Sequence, residues 1–168
     1  MPELIKAELS LIPALAALRR RRVNGANWLS VLTTVVSPSP SDPNSIFDYA
    51  WTTDDRLLLA IEFSRAVDTN SVVPRSTLIV KTTKDPNADG TLTWSSDHKQ
   101  VIWKSTKISG QLLFPQPDDS FTLTLLCDDV QAGGSLRRGI RDEFGYLIDG
   151  DYNGREGGTY EVSFTIIG

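Results

Sequence analysis

Two side chains in this chain of 168 residues are the natural starting points for catalysis: its only histidine, His98, and its only cysteine, Cys127. His98 lies between Asp97 and Lys99 at a predicted hairpin tip, where a solvated imidazole is expected. Cys127 ends an apolar segment, residues 121–127, where a buried and unreactive thiol is expected. The sequence contains no glycine-rich phosphate loop, no zinc-ligand spacing and no Gly-x-Ser-x-Gly motif. We therefore predict that the protein is not an enzyme.

A metal-binding pattern occurs near the C-terminal end of the chain. Residues 149–154 read Asp-Gly-Asp-Tyr-Asn-Gly and match the first six positions of a calcium-binding loop. In such loops the ligands at positions one, three and five converge on one ion, because the glycine at position six turns the backbone sharply. The candidate calcium ligands are therefore Asp149, Asp151 and Asn153.

The rest of the calcium pattern is incomplete. Position twelve, which normally supplies a bidentate carboxylate, is Tyr160, and Glu161 follows one residue late. One alternative is a calcium site completed by Asp142 or Glu156 from outside the loop. The other is a glycine-rich turn held by hydrogen bonds between side chains and the backbone. No other cofactor is indicated.

Four tryptophans raise the question of carbohydrate binding, because exposed indoles stack on sugar faces. Two of them, Trp94 and Trp103, lie on neighbouring predicted strands, where packing in the core or across a hairpin is expected. The other two are Trp28 and Trp51. A carbohydrate-binding module therefore stays an alternative.

The charge is distributed unevenly along the chain. Residues 1–24 hold five basic and two acidic side chains, a net charge of +3, so the overall charge of −4 leaves −7 on the remainder. An acidic body argues against nucleic-acid binding by the main domain, because phosphate contacts require clustered Lys or Arg. No apolar run is long enough to span a membrane, and the order of charges around residues 9–18 is the inverse of an export signal.

An amphipathic arm is predicted at residues 1–25. Its apolar positions recur with the period of a helix, and Arg19 to Arg22 follow at the predicted helix C-terminus. The arm is consistent with a membrane-surface helix, an anion-binding tail or a helix that docks on a neighbouring subunit, and we favour docking. The docking residues would be Leu4, Leu11, Leu15 and Leu18.

From Trp28 onward the pattern changes to short strands separated by turn signals. We predict about seven strands in residues 26–168, which is the number expected of a two-sheet sandwich. They are residues 28–36, 56–63, 78–81, 91–94, 100–104, 120–127 and 159–167. Alternation within the strands predicts a core that contains Leu59, Ile61, Phe63, Leu123, Leu125, Val162 and Phe164.

Four motifs in a fixed order carry a family resemblance. Residues 63–68 read Phe-Ser-Arg-Ala-Val-Asp, and residues 96–103 form a predicted hairpin that enters a strand. Residues 113–125 combine a leucine, a proline and an alternating strand, and residues 139–164 place Gly, Asp and Asn before the last strand. Together they resemble the bacterial immunoglobulin-like domains of surface-layer and cell-surface proteins. Phe121 departs from the family pattern, because many relatives carry Tyr there.

The resemblance implies an all-β, immunoglobulin-like β-sandwich that serves as a non-catalytic structural or adhesive subunit of a bacterial surface or other multi-subunit assembly. Its partners would be protein subunits, with no nucleic acid. The resemblance implies a cell-surface or extracellular location, and the lack of a recognisable export signal leaves a cytoplasmic assembly open. The alternative function is a calcium-dependent or carbohydrate-binding module.

Overall fold

The computed structural model describes residues 32–41, 49–114 and 119–165. They form ten strands, a 3-10 turn at Thr69–Ser71 and a one-turn helix at Ser109–Leu112, and no helix among them is long and apolar enough to cross a membrane. The strands are β1 (Val35–Ser37), β2 (Tyr49–Trp51), β3 (Arg56–Phe63), β4 (Leu78–Lys81), β5 (Gly90–Trp94), β6 (Gln100–Ile108), β7 (Ser120–Leu126), β8 (Val130–Ala132), β9 (Ser135–Arg137) and β10 (Thr159–Thr165).

The larger sheet has the order β1-β3-β6-β5, and β2 joins the same edge of β3 as β1 does. All pairs in this sheet are antiparallel. In β3, Leu57, Leu59, Ile61 and Phe63 alternate along one face and are fully buried, as the period of two in a strand requires.

The smaller sheet has the order β10-β7-β4 and is antiparallel as well. Its alternating apolar residues share one core with those of the larger sheet. Tyr49 of the larger sheet contacts both Phe121 and Phe164 of the smaller sheet edge to face, with ring centroids 5.5 and 5.4 Å apart. The two sheets therefore pack as a sandwich, and aromatic contacts join them.

The prediction of an all-β sandwich is confirmed for the described residues. All seven predicted core residues are buried, and strands β3 and β4 have the predicted limits. The prediction was wrong about the first strand, since of the described residues 32–36 only Val35 and Val36 are in a strand. It also missed β2, β8 and β9, because strands of three residues carry too little alternation to be recognised. The predicted arm, residues 1–25 with its four leucines, lies outside the described residues.

Candidate functional site

The candidate calcium loop, residues 149–154, lies in the corner of the chain between Ile148 and the last strand, β10. Asp149 is buried, and both of its carboxylate oxygens accept backbone hydrogen bonds: Oδ1 from Asn153 N at 3.1 Å and Oδ2 from Gly154 N at 2.8 Å. Burial raises the pKa of Asp149 above its usual value, and the neighbouring Asp151 acts in the same direction. Asp149 thus forms the kind of hydrogen bonds between side chain and backbone that the alternative of a glycine-rich turn requires.

The other proposed ligands also bind within the chain. Asn153 donates from Nδ2 to Asp151 Oδ2 at 3.1 Å, and its Oδ1 accepts from Arg155 N at 2.8 Å. Asp142 and Glu156, the residues considered for completing the site, accept backbone N–H groups of residues 144, 146 and 147. Within the described ranges, no three His, Cys, Asp or Glu side chains are arranged to hold one metal ion.

We expect calcium to leave the thermal stability unchanged, because both oxygens of the Asp149 carboxylate already accept backbone hydrogen bonds that hold the turn. The melting temperature should be the same in chelator and in millimolar calcium. If the loop did bind calcium, saturation at 100 times the dissociation constant would add about 2.7 kcal/mol and raise the melting temperature. Asp149→Asn should destabilise the fold by about 1–3 kcal/mol even in chelator, because the amide group cannot accept both hydrogen bonds.

The two residues considered for catalysis lie in separate environments. Cys127 is fully buried, and burial raises the pKa of its thiol to about 12, so the thiol stays protonated and inert at neutral pH. His98 is exposed at the tip of the β5–β6 hairpin, where its backbone has a φ of 57° and its N–H bonds to Ser95 O at 3.0 Å. The predicted positions of both side chains are confirmed.

The tryptophans of the described residues belong to the core and its margin. Trp103 is fully buried, and the half-buried Trp94 stacks on Phe63 with ring centroids 6.3 Å apart. Trp51 is half-buried against the same core. Trp28 lies outside the described residues. The indoles described are therefore used for packing, as the strand positions of Trp94 and Trp103 indicated.

A rigid aromatic loop lies before this corner. Asp142 is 2% exposed, and its Oδ1 accepts from the backbone N–H groups of Phe144 at 2.9 Å and Tyr146 at 3.0 Å. Its Oδ2 accepts from Thr33 Oγ1 at 3.3 Å. Gly145, between the two aromatics, has a φ of 90°, which a glycine adopts without strain. The buried carboxylate thus fixes a turn that presents two aromatic rings to solvent.

This loop borders a cleft of about 810 Å³, which we call the end cleft. Three parts of the chain line the cleft: Gly145, residues of the segment 68–77, and residues from the β8–β9 hairpin onward to Arg141. The hairpin turns at Gly133-Gly134, with φ angles of 57° and 81°. Two adjacent residues with positive φ are the signature of a type I′ turn, so the glycine pair was the sequence signal for this missed hairpin.

Three arginines line the end cleft, and they differ in whether they form an ion pair. Arg141 donates from Nη1 to Asp129 Oδ1 at 2.7 Å and from Nη2 to the other oxygen, and this pairing lowers the pKa of Asp129 to about 2. Arg137 and Arg138 form no ion pair with any described residue, and the buried Nε of Arg137 has no hydrogen-bond partner there. The cleft therefore presents two guanidinium groups, Arg137 and Arg138, that are not held in a short ion pair by the described residues.

Exposed apolar side chains are concentrated at the same end of the sandwich. Among the described residues, eight large apolar side chains are exposed, and five of them line the end cleft or flank Gly145. Such a concentration is typical of an interaction surface and not of scattered exposed apolar residues. The five are Phe144 (68% exposed), Leu136 (59%), Tyr146 (57%), Val73 (43%) and Val130 (38%).

No protein-family model matches this chain, and no curated protein sequence matches it. Among solved structures, the chain is similar to the crystal structure of the N-terminal part of the bacterial S-layer protein SbsC, with 12% sequence identity and a TM-score of 0.48. The match covers 90% of this chain and 28% of that one, so the chain spans much less than the length of the S-layer structure.

Proposed function

We propose that this protein is a non-catalytic structural or adhesive subunit of a bacterial surface or other multi-subunit protein assembly. Its body is an immunoglobulin-like sandwich, and its N-terminal arm, residues 1–25, docks on a neighbouring subunit. The observation that carries this proposal is the end cleft, which three exposed apolar side chains and two arginines without an ion pair among the described residues line, and beside which two exposed aromatic rings flank Gly145. A surface of this kind binds a protein partner, since apolar contact area supplies the binding energy and charges supply specificity.

The strand order supports the immunoglobulin-like assignment. The constant-type immunoglobulin sandwich has one sheet with strands in the order A-B-E-D and a second with the order C-F-G. Taking β1, β3, β4, β5, β6, β7 and β10 as A to G reproduces both orders, as β1-β3-β6-β5 and β4-β7-β10. Since folds of this kind host many functions, the assignment by itself selects none of them.

The arm supplies the second half of the proposal. Four leucines at helical spacing would be exposed in a free monomer, and burying them contributes about 6–12 kcal/mol before the cost of ordering the arm. We expect deletion of residues 1–22 to leave a folded, soluble sandwich that no longer assembles. Light scattering of the full-length and deleted proteins measures this, with circular dichroism as the check on folding.

Replacement of Arg19 to Arg22 by alanine is the matched control for charge. It should weaken assembly only slightly, because the arginines lie beyond the apolar stripe. Normal assembly of the deleted protein would contradict docking. Loss of binding to anionic vesicles or nucleic acid in the arginine variant alone would assign the arm to electrostatic binding.

The alternative function is a calcium-dependent or carbohydrate-binding module. The observation that favours calcium is the proximity of Asp149 and Asp151, whose carboxylates interact in the corner that precedes β10. A rise in melting temperature with calcium, together with a monomeric full-length protein, would favour this alternative over assembly.

A further inference from the structure

The described chain begins at the end of the sandwich that carries the end cleft. The first described residues are tied to this end: Thr33 Oγ1 donates to Asp142 Oδ2 at 3.3 Å, and Thr33 O accepts from Asp149 N at 2.8 Å. Asp142 is the residue that holds the aromatic loop beside the cleft. The N-terminal segment therefore joins the sandwich next to the cleft.

The leucine stripe of this segment matches the apolar side chains of the cleft. The cleft presents apolar side chains and two unpaired arginines, Arg137 and Arg138. The segment has a leucine stripe, and in the predicted helix Glu8 lies one turn after Leu4 on the same face. A helix that lays its apolar face into the cleft can bring the carboxylate of Glu8 towards Arg137 and Arg138, while Arg19 to Arg22 lie at the other end of the helix.

We propose that the end cleft binds residues 2–22 of a second copy of this chain, in a reciprocal exchange between two protomers. This inference rests on the proposed function, because it names the surface on which the arm docks. Docking on a second copy follows the proposed function, in which the arm binds a neighbouring subunit. When two copies meet at this end, each segment lies over the other's cleft, and a single two-fold axis closes the interface.

The joint is long enough for this exchange. Residues 23–31 connect the predicted helix to the described chain, and nine residues span up to about 30 Å when extended. That distance is comparable to the diameter of a small domain. Five exposed apolar side chains on each protomer become buried in the same interface, which explains why they are concentrated at one end.

Disulfide cross-linking between variants of the full-length protein that each carry one added cysteine tests the proposal. The native Cys127 is fully buried with a thiol pKa of about 12, so it does not compete. A Leu15→Cys chain is mixed with a Leu136→Cys chain and oxidised, and each variant is also oxidised alone. The matched control replaces Leu136→Cys by Ile108→Cys, which is 40% exposed on β6 at the opposite end of the sandwich.

We expect the mixture to form the heterodimeric disulfide at least about tenfold more than the control mixture, because docking raises the effective concentration of the two thiols. Charge reversal gives a second measurement: Glu8→Arg and Arg138→Glu should each weaken self-association, and the two together should restore it.

Each other outcome overturns a distinct statement. If the protein self-associates but position 108 is cross-linked to the same extent as position 136, or position 136 is not cross-linked at all, the arm docks outside the end cleft. The proposed function then still stands. In a further variant that carries both Leu15→Cys and Leu136→Cys, a disulfide that forms only within one chain shows that the cleft holds its own arm. A full-length monomer without any cross-link contradicts both this inference and the proposed function.

Discussion

Gly90→Ala should destabilise the sandwich by about 3 kcal/mol, measured by denaturant unfolding. Gly90 opens β5 and is buried against the indole of Trp103, and a Cβ added there would overlap the atoms Nε1 and Cε2 of that ring. The carbonyl of Lys104 lies only 2.7 Å from the same position. A fully buried indole between two sheets has no room to move, so the cost falls at the upper end of the range for overpacked cores.

Gly110→Ala is the matched control. A Cβ at Gly110 meets nothing within 4 Å, and the residue lies in the one-turn helix Ser109–Leu112. Alanine should therefore leave the stability unchanged or raise it by less than about 1 kcal/mol. Trp103→Phe combined with Gly90→Ala should cost less than the sum of the two single changes, since the smaller ring relieves the overlap. A wild-type stability for Gly90→Ala would show that the indole does not occupy this position.

Glu62→Gln should make the protein more stable at pH 8 by up to about 3 kcal/mol and leave its stability unchanged at pH 4. Glu62 lies on β3 and is fully buried, and neither carboxylate oxygen has a hydrogen-bond partner among the described residues. Burial is the main cause that raises the pKa of Glu62 from 4.5 to about 7, and the negative charge of Asp97 adds to it.

The direction of the effect follows from proton linkage. Below the unfolded pKa, Glu62 is neutral in both states, so its ionisation contributes nothing to the difference in stability. As the pH rises towards 7, the unfolded chain ionises more readily than the folded one, so the wild type loses stability that the glutamine variant keeps. Glu161→Gln, the same substitution on an exposed position of β10, is the matched control for the change of side chain. A Glu62→Gln effect of equal size at pH 4 and pH 8 would contradict the raised pKa.

Local rules explain most of the strands. Alternating apolar residues determine which face of β3, β7 and β10 is buried, because successive side chains in a strand point to opposite sides. A single cysteine excludes an intrachain disulfide. Turn residues fix the hairpin tip at His98. The glycine pair at residues 133–134 marks another hairpin, although the two strands of that hairpin are too short to be recognised by alternation. These features depend on residues close together in sequence.

Only the tertiary structure decided the surroundings of the functional groups. Alternation places Glu62 on the face opposite Ile61 and Phe63, where solvent is expected, yet the folded chain buries it. Asp149 matches a calcium ligand in sequence, but packing of the corner directs both oxygens to backbone amides.

The end cleft brings together segments that are about 70 residues apart in sequence, as in the hydrogen bond between Arg141 N and Ser71 Oγ at 3.0 Å. Residue types and periodicity determine which face of an element is apolar, since those depend on local backbone geometry. Which exposed groups meet at one end depends on how the sheets pack, because that brings distant segments into contact.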